Sequence, residues 1–305
     1  MAGLRSIRAV VVSVAAAGLL IGMPTQVTPM ASAALAWKVP VAMYHIVTPN
    51  APDTSISGLF VRSSEFDAQM RAAAAKGVRT ITAHDLNASV RGGIPIPRKV
   101  MVLTFDDGRV ESIRYAWPIM QKYGSSLMFN GTAWVARDMN LDGVADKGYI
   151  GSFFVIVGRG GGNYLTYDQE AALATAGNEI SNHTNSHVDV AAYHGSALFS
   201  QVVTAGRRLE SEMAKRGVLH TISAGGVVSP GLTAVVSEPV DVTTFVYPYG
   251  DTATEAVNLL RANGYGMAFT TVPGIASSGQ NMLLLPRVRV NRGESSSTFL
   301  KSMGL

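Results

Sequence analysis

The chain has 305 residues, of which 47% are hydrophobic and 15% charged, so a sizeable buried core is possible and the composition is not that of a disordered chain. The formal net charge is +4, a balance too small to indicate a nucleic-acid partner. There is no cysteine, which excludes disulfides, thiolate metal ligands and a lipid-modified cysteine anchor. Any metal site must therefore use histidine, aspartate or glutamate side chains.

Residues 1–33 have the pattern of a secretory signal peptide. Arg5 and Arg8 provide the positive start, an apolar run follows, and Ala31-Ser32-Ala33 supplies a small-residue cleavage site. The apolar run is short for a membrane span, and no later stretch reaches transmembrane length. We therefore expect residues 34–305 to form a secreted or periplasmic domain. The alternative is an uncleaved membrane anchor.

The rest of the chain alternates between predicted strands and predicted helices. The apolar runs predict strands at Val39–Tyr44, Val78–Thr82, Lys99–Phe105, Ser126–Phe129, Glu179–Ser181, Thr243–Tyr247, Gly266–Thr270 and Val288–Val290. Helical spacing predicts helices at Glu65–Ala75, Ala83–Val90, Glu111–Tyr123, Tyr167–Ala176, Leu198–Arg216 and Thr254–Asn263. This alternation indicates βαβ units around a parallel sheet. Residues 137–164 are interpreted as a loop insertion between a strand and the next helix.

Two polar motifs directly follow predicted strands. Asp106 and Asp107 end the most apolar strand, and His183 and His187 follow a later one. Two histidines four residues apart can face one metal ion, and adjacent aspartates point in different directions, so one can bind the ion while the other acts as a base. Either motif alone also fits a plain turn or an exposed pair on a helix. Together they predict a metal site with positions left open for water.

The sequence resembles the polysaccharide deacetylase family, also called the NodB-homology or carbohydrate esterase family 4 group. The central motifs that carry this resemblance are Thr104–Gly108 (TFDDG), His183–His187 (HTNSH) and Phe245–Gly250 (FVYPYG). Two outer motifs are similar to the branch that includes poly-β-1,6-N-acetylglucosamine deacetylases, namely Met43–His45 (MYH) and Leu285–Val290 (LPRVRV). The resemblance covers nearly all of the chain after the leader, from Val39 to Phe299.

This resemblance implies a deformed (β/α) barrel of about seven units and one divalent metal ion, most often zinc. By position, it implies that Asp107, His183 and His187 are the metal ligands and that Asp106 is the general base. It also implies that the backbone N–H of Tyr249 stabilises the oxyanion. The neighbouring Tyr247 and Pro248 are expected to contact substrate as part of the same motif.

His45 is our candidate for the acid that protonates the leaving amine. Histidine titrates near neutral pH, which suits this role. In many relatives the acid is a histidine near the C-terminus, but this chain has no histidine after Arg289. The alternative is that His45 is a structural residue at the end of its strand.

The chain departs from the family pattern at Val246, where many relatives carry an arginine that orients the catalytic aspartate. Arg287 or Arg289 is expected to replace it, because alternate residues of a strand point to the same face. The alternative is that both arginines lie at a solvated edge of the sheet.

The segment after residue 137 contains the start of a calcium-loop pattern. Asp138, Asn140, Asp142 and Asp146 fall at ligand positions, but Tyr149 replaces the glutamate of a complete EF-hand. A second, calcium site and a merely solvated loop therefore both remain open.

We expect a metal-dependent hydrolase that removes N-acetyl groups from a polymeric amino sugar, with poly-N-acetylglucosamine as the leading substrate. An O-acetyl esterase acting on a polysaccharide is one alternative, and a non-catalytic glycan-binding relict of the fold is another. The expected partner is a polysaccharide, with no nucleic acid and no membrane span after removal of the leader. The sequence carries no signal for an oligomeric state.

Overall fold

The computed structural model describes residues 36–50, 57–140, 142–223, 235–239 and 241–305. The predicted signal peptide, residues 1–33, lies outside the described residues. Within the described part of the chain, no helix combines the length and the apolar character needed to cross a membrane.

The centre of the molecule is a barrel of parallel strands. The strands of this sheet are β1 (Val41–Tyr44), β2 (Arg79–Ile81), β3 (Val100–Phe105), β4 (Ser152–Val155), β5 (Glu179–Asn182), β6 (Thr244–Val246), β7 (Met267–Pro273) and β8 (Leu285–Arg289). They are hydrogen-bonded in the order β1-β8-β7-β6-β5-β4-β3-β2, and β1 also pairs with β3. Seven strands thus close the ring, and β2 pairs only with the first half of β3. The predicted (β/α) barrel of about seven units is confirmed.

In the described part of the chain, at least one helix follows each barrel strand except β7. These helices are α1 (Ser63–Ala75), α2 (Ala83–Arg91), α3 (Trp117–Met120), α4 (Tyr167–Thr175), α5 (Gly195–Phe199), α6 (Ala205–Lys215), α7 (Thr254–Ala262) and α8 (Ser296–Met303). Wide turns with π-helical bonding, Ser112–Ala116 and Ser200–Thr204, lead into α3 and α6. Side-chain oxygens of Thr82, Thr166 and Ser295 cap the starts of α2, α4 and α8.

Short pairs of strands and 3₁₀ turns lie outside the barrel sheet. The pairs are Lys38–Val39 with Ala276–Ser277, Ile46–Thr48 with Phe60–Arg62, Leu127–Phe129 with Trp134–Ala136, and Leu219–Ser223 with Val235–Pro239. The 3₁₀ turns are Ser57–Leu59, Val190–Ala192 and Pro248–Gly250.

Helix α2 closes the end of the barrel at which the strands begin. The backbone N–H of Ala83 donates to Ser152 Oγ at the start of β4, and that of His84 donates to Glu179 Oε2 at the start of β5. Leu86 packs in the same apolar cluster as residues that line the barrel. The carboxyl ends of the strands therefore form the open end, which is where a (β/α) barrel carries its active site.

The prediction of a loop insertion over residues 137–164 was wrong in its second half. Ser152–Val155 is the barrel strand β4, and all four of its residues are buried between β3 and β5. This run is only four residues long and is flanked by glycine-containing segments, so its periodicity did not distinguish it from a loop. Strand β8 likewise begins three residues earlier than predicted, at Leu285.

Candidate active site

The polar motifs meet at the open end of the barrel. Asp106 and Asp107 directly follow β3, His183 follows β5, and Arg287 lies within β8. Because parallel strands end at the same rim, residues far apart in sequence become neighbours there. His45, which directly follows β1, joins them at that rim.

Asp107, His183 and His187 converge on one point. Asp107 Oδ1 lies 3.5 Å from His183 Nε2 and 3.2 Å from His187 Nε2. Among the described residues, this is the one group of three or more His, Cys, Asp or Glu side chains whose ligand atoms lie within 4.8 Å of one another. Asp107 Oδ1 is buried and accepts no hydrogen bond. A buried carboxylate oxygen without a donor, facing two imidazole nitrogens, fits a divalent cation between them.

The ionisation of Asp107 agrees with this reading. Burial alone raises the pKa of its carboxyl, but contacts with the imidazoles of His183 and His187 outweigh burial and hold the pKa well below its ordinary value. The side chain is therefore an anion at neutral pH, which is the form that ligates a metal.

Both histidines are oriented by their second ring nitrogen. His183 Nδ1 lies 2.8 Å from the carbonyl oxygen of Val246, at the end of β6. A carbonyl can only accept, so Nδ1 carries the proton and Nε2 presents its lone pair towards Asp107. His187 Nδ1 lies 3.1 Å from the hydroxyl of Tyr249. Such partners fix the tautomer and ring orientation of metal-ligating histidines.

Backbone strain is concentrated at this site. Among the described residues, five that are not glycine have positive φ, and four of these are Asp107, Thr184, His187 and Tyr249. Each such conformation costs about 1–3 kcal/mol and persists only where the surroundings enforce it. In the turn after β5, for example, Thr184 Oγ1 accepts the backbone N–H of His187 at 2.9 Å. The fold thus holds its candidate ligands in place against local preference.

Asp106 is buried, 2% exposed, and its carboxylate is held by a fully buried arginine. Arg287 Nη1 donates to Asp106 Oδ1 at 2.8 Å and Nη2 donates to Oδ2 at 2.7 Å. The same guanidinium donates to Thr270 O and Thr104 Oγ1, which fixes its orientation. Burial raises the pKa of Asp106, but Arg287 outweighs burial, so the pKa lies below its ordinary value.

Of the two arginines considered from the sequence, Arg287 is thus the one that binds Asp106. The alternative of a solvated sheet edge is wrong for Arg287, because its side chain is 0% exposed. Arg289 remains partly exposed, and its charge acts instead on His45.

His45 lies beside the same carboxylate, with its Nε2 3.7 Å from Asp106 Oδ2. Burial lowers the pKa of His45, the negative charges of Asp106 and Asp107 oppose this, and Arg287 and Arg289 add to it. The net direction is downwards, so the resting ring is mostly neutral at neutral pH. A neutral His45 must gain a proton before it can donate one.

The three residues predicted as a substrate-contacting group occupy different environments. Tyr249 is 62% exposed and stands at the rim. Pro248 is buried in the 3₁₀ turn. The predicted substrate contact of Tyr247 is wrong for its side chain, which is fully buried and donates its hydroxyl to Leu283 O. The ring packs edge-on against Phe245, because the alternation of β6 turns it towards the helices.

In the predicted calcium loop, carboxylate oxygens accept bonds from the loop's own backbone. Asp138 accepts the N–H groups of Asp142 and Gly143, and Asp146 accepts that of Met139. Asn140 donates to Asp142. The proposed second cation site stays a prediction.

Comparison with known proteins identifies the family. The sequence model described as polysaccharide deacetylase matches residues 94–268, which is more than half of the chain. The chain belongs to the polysaccharide deacetylase family. Members of this family are hydrolases that act on acetylated polysaccharides. The matched segment contains Asp106, Asp107, His183 and His187, whereas Arg287 lies beyond it.

Individual relatives of this polysaccharide deacetylase are distant in sequence. YxkH of Bacillus subtilis (strain 168) is 27% identical over 262 residues, covering 86% of this chain and 75% of the relative. The poly-β-1,6-N-acetyl-D-glucosamine N-deacetylase of Escherichia coli (strain K12) is 27% identical over 277 residues, covering 85% of this chain but only 38% of that protein.

Solved structures share the fold of this polysaccharide deacetylase. The Streptococcus pyogenes deacetylase PplD, solved in complex with acetate, has a TM-score of 0.67 at 20% identity and covers 88% of this chain and 99% of its own. IcaB from Ammonifex degensii has a TM-score of 0.58 at 18% identity and covers 88% of this chain and 97% of its own.

Proposed function

We propose that the protein is a metal-dependent N-deacetylase that acts, after export, on poly-N-acetylglucosamine or a related cell-surface amino-sugar polymer. The observation that carries this proposal is the unpartnered Asp107 Oδ1 facing two imidazole nitrogens, beside an aspartate held by a buried arginine. The E. coli relative named for poly-N-acetylglucosamine supports the substrate class. The leader-like residues 1–33 support export.

Asp107, His183 and His187 would hold one divalent cation. Two imidazoles and one carboxylate form a donor set that suits zinc and leaves a position open for solvent or substrate. When bound, such an ion supplies Lewis acidity, polarising a carbonyl and lowering the pKa of water. The hydrogen bonds from His183 to Val246 O and from His187 to Tyr249 would keep both Nε2 atoms aimed at it.

Asp106 is assigned as the general base. It removes a proton from the attacking water as the oxygen adds to the acetamide carbonyl carbon. The two hydrogen bonds from Arg287 keep the carboxylate ionised and fix its orientation, so the base is ready at neutral pH. The backbone N–H of Tyr249, in its strained turn after β6, is assigned to stabilise the oxyanion that develops.

His45 is assigned as the acid. An amine is a poor leaving group until it is protonated, so collapse of the tetrahedral intermediate needs a proton donor. The proton that Asp106 takes from water passes to His45. For this transfer His45 Nε2, which lies 3.7 Å from Asp106 Oδ2, has to move closer by less than about 1 Å to form a hydrogen bond. His45 then delivers this proton to the departing nitrogen. Acetic acid and a free amine result; the acid's proton then passes through solvent to the more basic amine, which leaves acetate and an ammonium group, and both residues return to their starting states.

Acetate release from three kinds of acetylated glycan tests the proposal. With zinc added, we expect release from partially N-acetylated poly-β-1,6-glucosamine, and loss of that release in Asp106→Asn with zinc binding retained. Release from O-acetylated xylan alone would replace the proposal with an esterase. Absence of release from these substrates and from N-acetylated chitin oligomers, together with absence of zinc binding, would favour a non-catalytic glycan-binding protein.

A further inference from the structure

The two candidate histidine ligands are supported in different ways. His183 is held by a backbone carbonyl, Val246 O, whereas His187 is held by a side chain, the hydroxyl of Tyr249. The rings of His187 and Tyr249 also meet edge to face, with centroids 4.6 Å apart and planes at 69°. The orientation of one ligand is thus built into the barrel, and that of the other depends on a single side chain.

A hydroxyl is a less restrictive partner than a carbonyl, because it can either donate or accept. If His187 Nε2 binds a cation, its Nδ1 must carry a proton, and that proton is donated to the oxygen of Tyr249. The hydrogen of Tyr249 then remains available, with His187 O at 3.4 Å as its neighbour. The contact therefore matches the ligating form of His187.

The backbone of Tyr249 is held in place although its side chain is exposed. Its φ of 61° lies in the left-handed region, and its carbonyl accepts a bond from Thr271 Oγ1 at 3.2 Å. The following Gly250 has φ of +84°, and a Cβ there would collide with Thr271. The turn thus combines an unfavourable backbone conformation at Tyr249, next to a position that requires glycine, with an exposed aromatic ring, a combination that marks a functional position.

We propose that Tyr249 is a positioning residue: its hydroxyl orients His187 and thereby sets the affinity of the site for its metal ion. This role is separate from that of the Tyr249 backbone N–H, and it rests on the proposed metal site. A hydrogen-bonding partner of this kind typically contributes 10–100-fold in metal affinity.

Zinc affinity, measured by competition with a chelating dye, tests the inference on the full chain. We expect Tyr249→Phe to weaken zinc binding about 10-fold, since it removes only the hydroxyl and keeps the ring. The matched control is Tyr123→Phe, which removes a hydroxyl that bonds Asp67 far from the site and should leave zinc affinity unchanged. His187→Ala should abolish tight binding.

Activity at two zinc concentrations separates positioning from direct catalysis. Tyr249→Phe should lose most acetate release at limiting zinc and recover to within about threefold of the wild type at saturating zinc, because its defect is in metal affinity. Unchanged zinc affinity, or activity that stays low at saturating zinc, would overturn the inference alone. A wild-type protein that binds no zinc would overturn the proposed function as well.

Discussion

At the scale of single residues, the pair formed by Asp106 and Arg287 shows how a carboxylate can stay ionised although it is buried. An ion pair removed from water is stable only when its geometry is good and its remaining hydrogen-bonding groups are satisfied. Arg287 meets both conditions, since it donates twice to Asp106 and also to Thr270 O and Thr104 Oγ1. The Asp106 carboxylate is therefore ionised without being exposed to solvent.

Replacing Arg287 with methionine should move the acid limb of the pH–rate profile. Without the guanidinium, burial dominates and raises the pKa of Asp106, so the ionised base forms only at higher pH. We expect kcat/KM at pH 7 to fall by about 10²-fold or more. Arg289→Met, on the same strand, keeps the contacts of Asp106 and should leave the acid limb in place. An unshifted limb in Arg287→Met would show that Asp106 is not the titrating base.

His45→Ala should slow amide cleavage more than ester cleavage. An amine leaves only when protonated, whereas an alkoxide depends less on an acid. The comparison uses kcat on an N-acetylated glucosamine oligomer and on an O-acetylated glycan with the same enzyme preparation. Equal losses on both substrates would count against the acid role and favour a structural one.

At the scale of elements, the sequence predicted those features that follow from local pattern. Strand β3 is a continuous apolar run, and Asp106 and His183 lie in short motifs directly after strands, so both could be located. Strand β4 is too short and too closely flanked by glycine to stand out. The pairing of Arg287 with Asp106 spans 181 residues, and alternation alone placed Arg287 and Arg289 on the same face. Depth inside the barrel, which is a tertiary property, decided between them.

Helix α2, which closes the far end of the barrel, carries a buried carboxyl group. Asp85 is buried in its first turn; burial raises its pKa to about 7, Thr82 opposes this, and the neighbouring Glu179 adds to it. The ordinary value is 3.8, so between these two values the folded protein keeps a proton that the unfolded chain releases. The stabilisation that this bound proton gives the folded protein is complete below pH 3.8 and is lost as the pH rises through about 7.

The predicted consequence is a melting temperature that falls as pH rises from about 4 to about 7 relative to Asp85→Asn, which cannot ionise. The difference should reach several degrees, since about 1 kcal/mol shifts Tm by roughly 2–4 °C in a domain of this size. Differential scanning calorimetry at matched ionic strength measures it. Parallel curves for the two proteins would show that Asp85 does not retain its proton on folding.

Across the whole molecule, one end of the barrel contributes to stability and the other holds the candidate active-site residues. One end is filled by apolar side chains and closed by α2, and the other gathers Asp107, His183 and His187 with Asp106 beside them. The strained conformations at the open end are held by a rigid ring of parallel strands. The three candidate ligands would therefore be preorganised for a metal ion.

The most direct test is a crystal structure of the zinc-loaded protein with anomalous data collected at the zinc edge. We predict one strong peak about 2.0–2.2 Å from Asp107 Oδ1, His183 Nε2 and His187 Nε2. A crystal grown with zinc that shows no peak between these three atoms, or whose principal peak lies elsewhere, would contradict the proposed metal site.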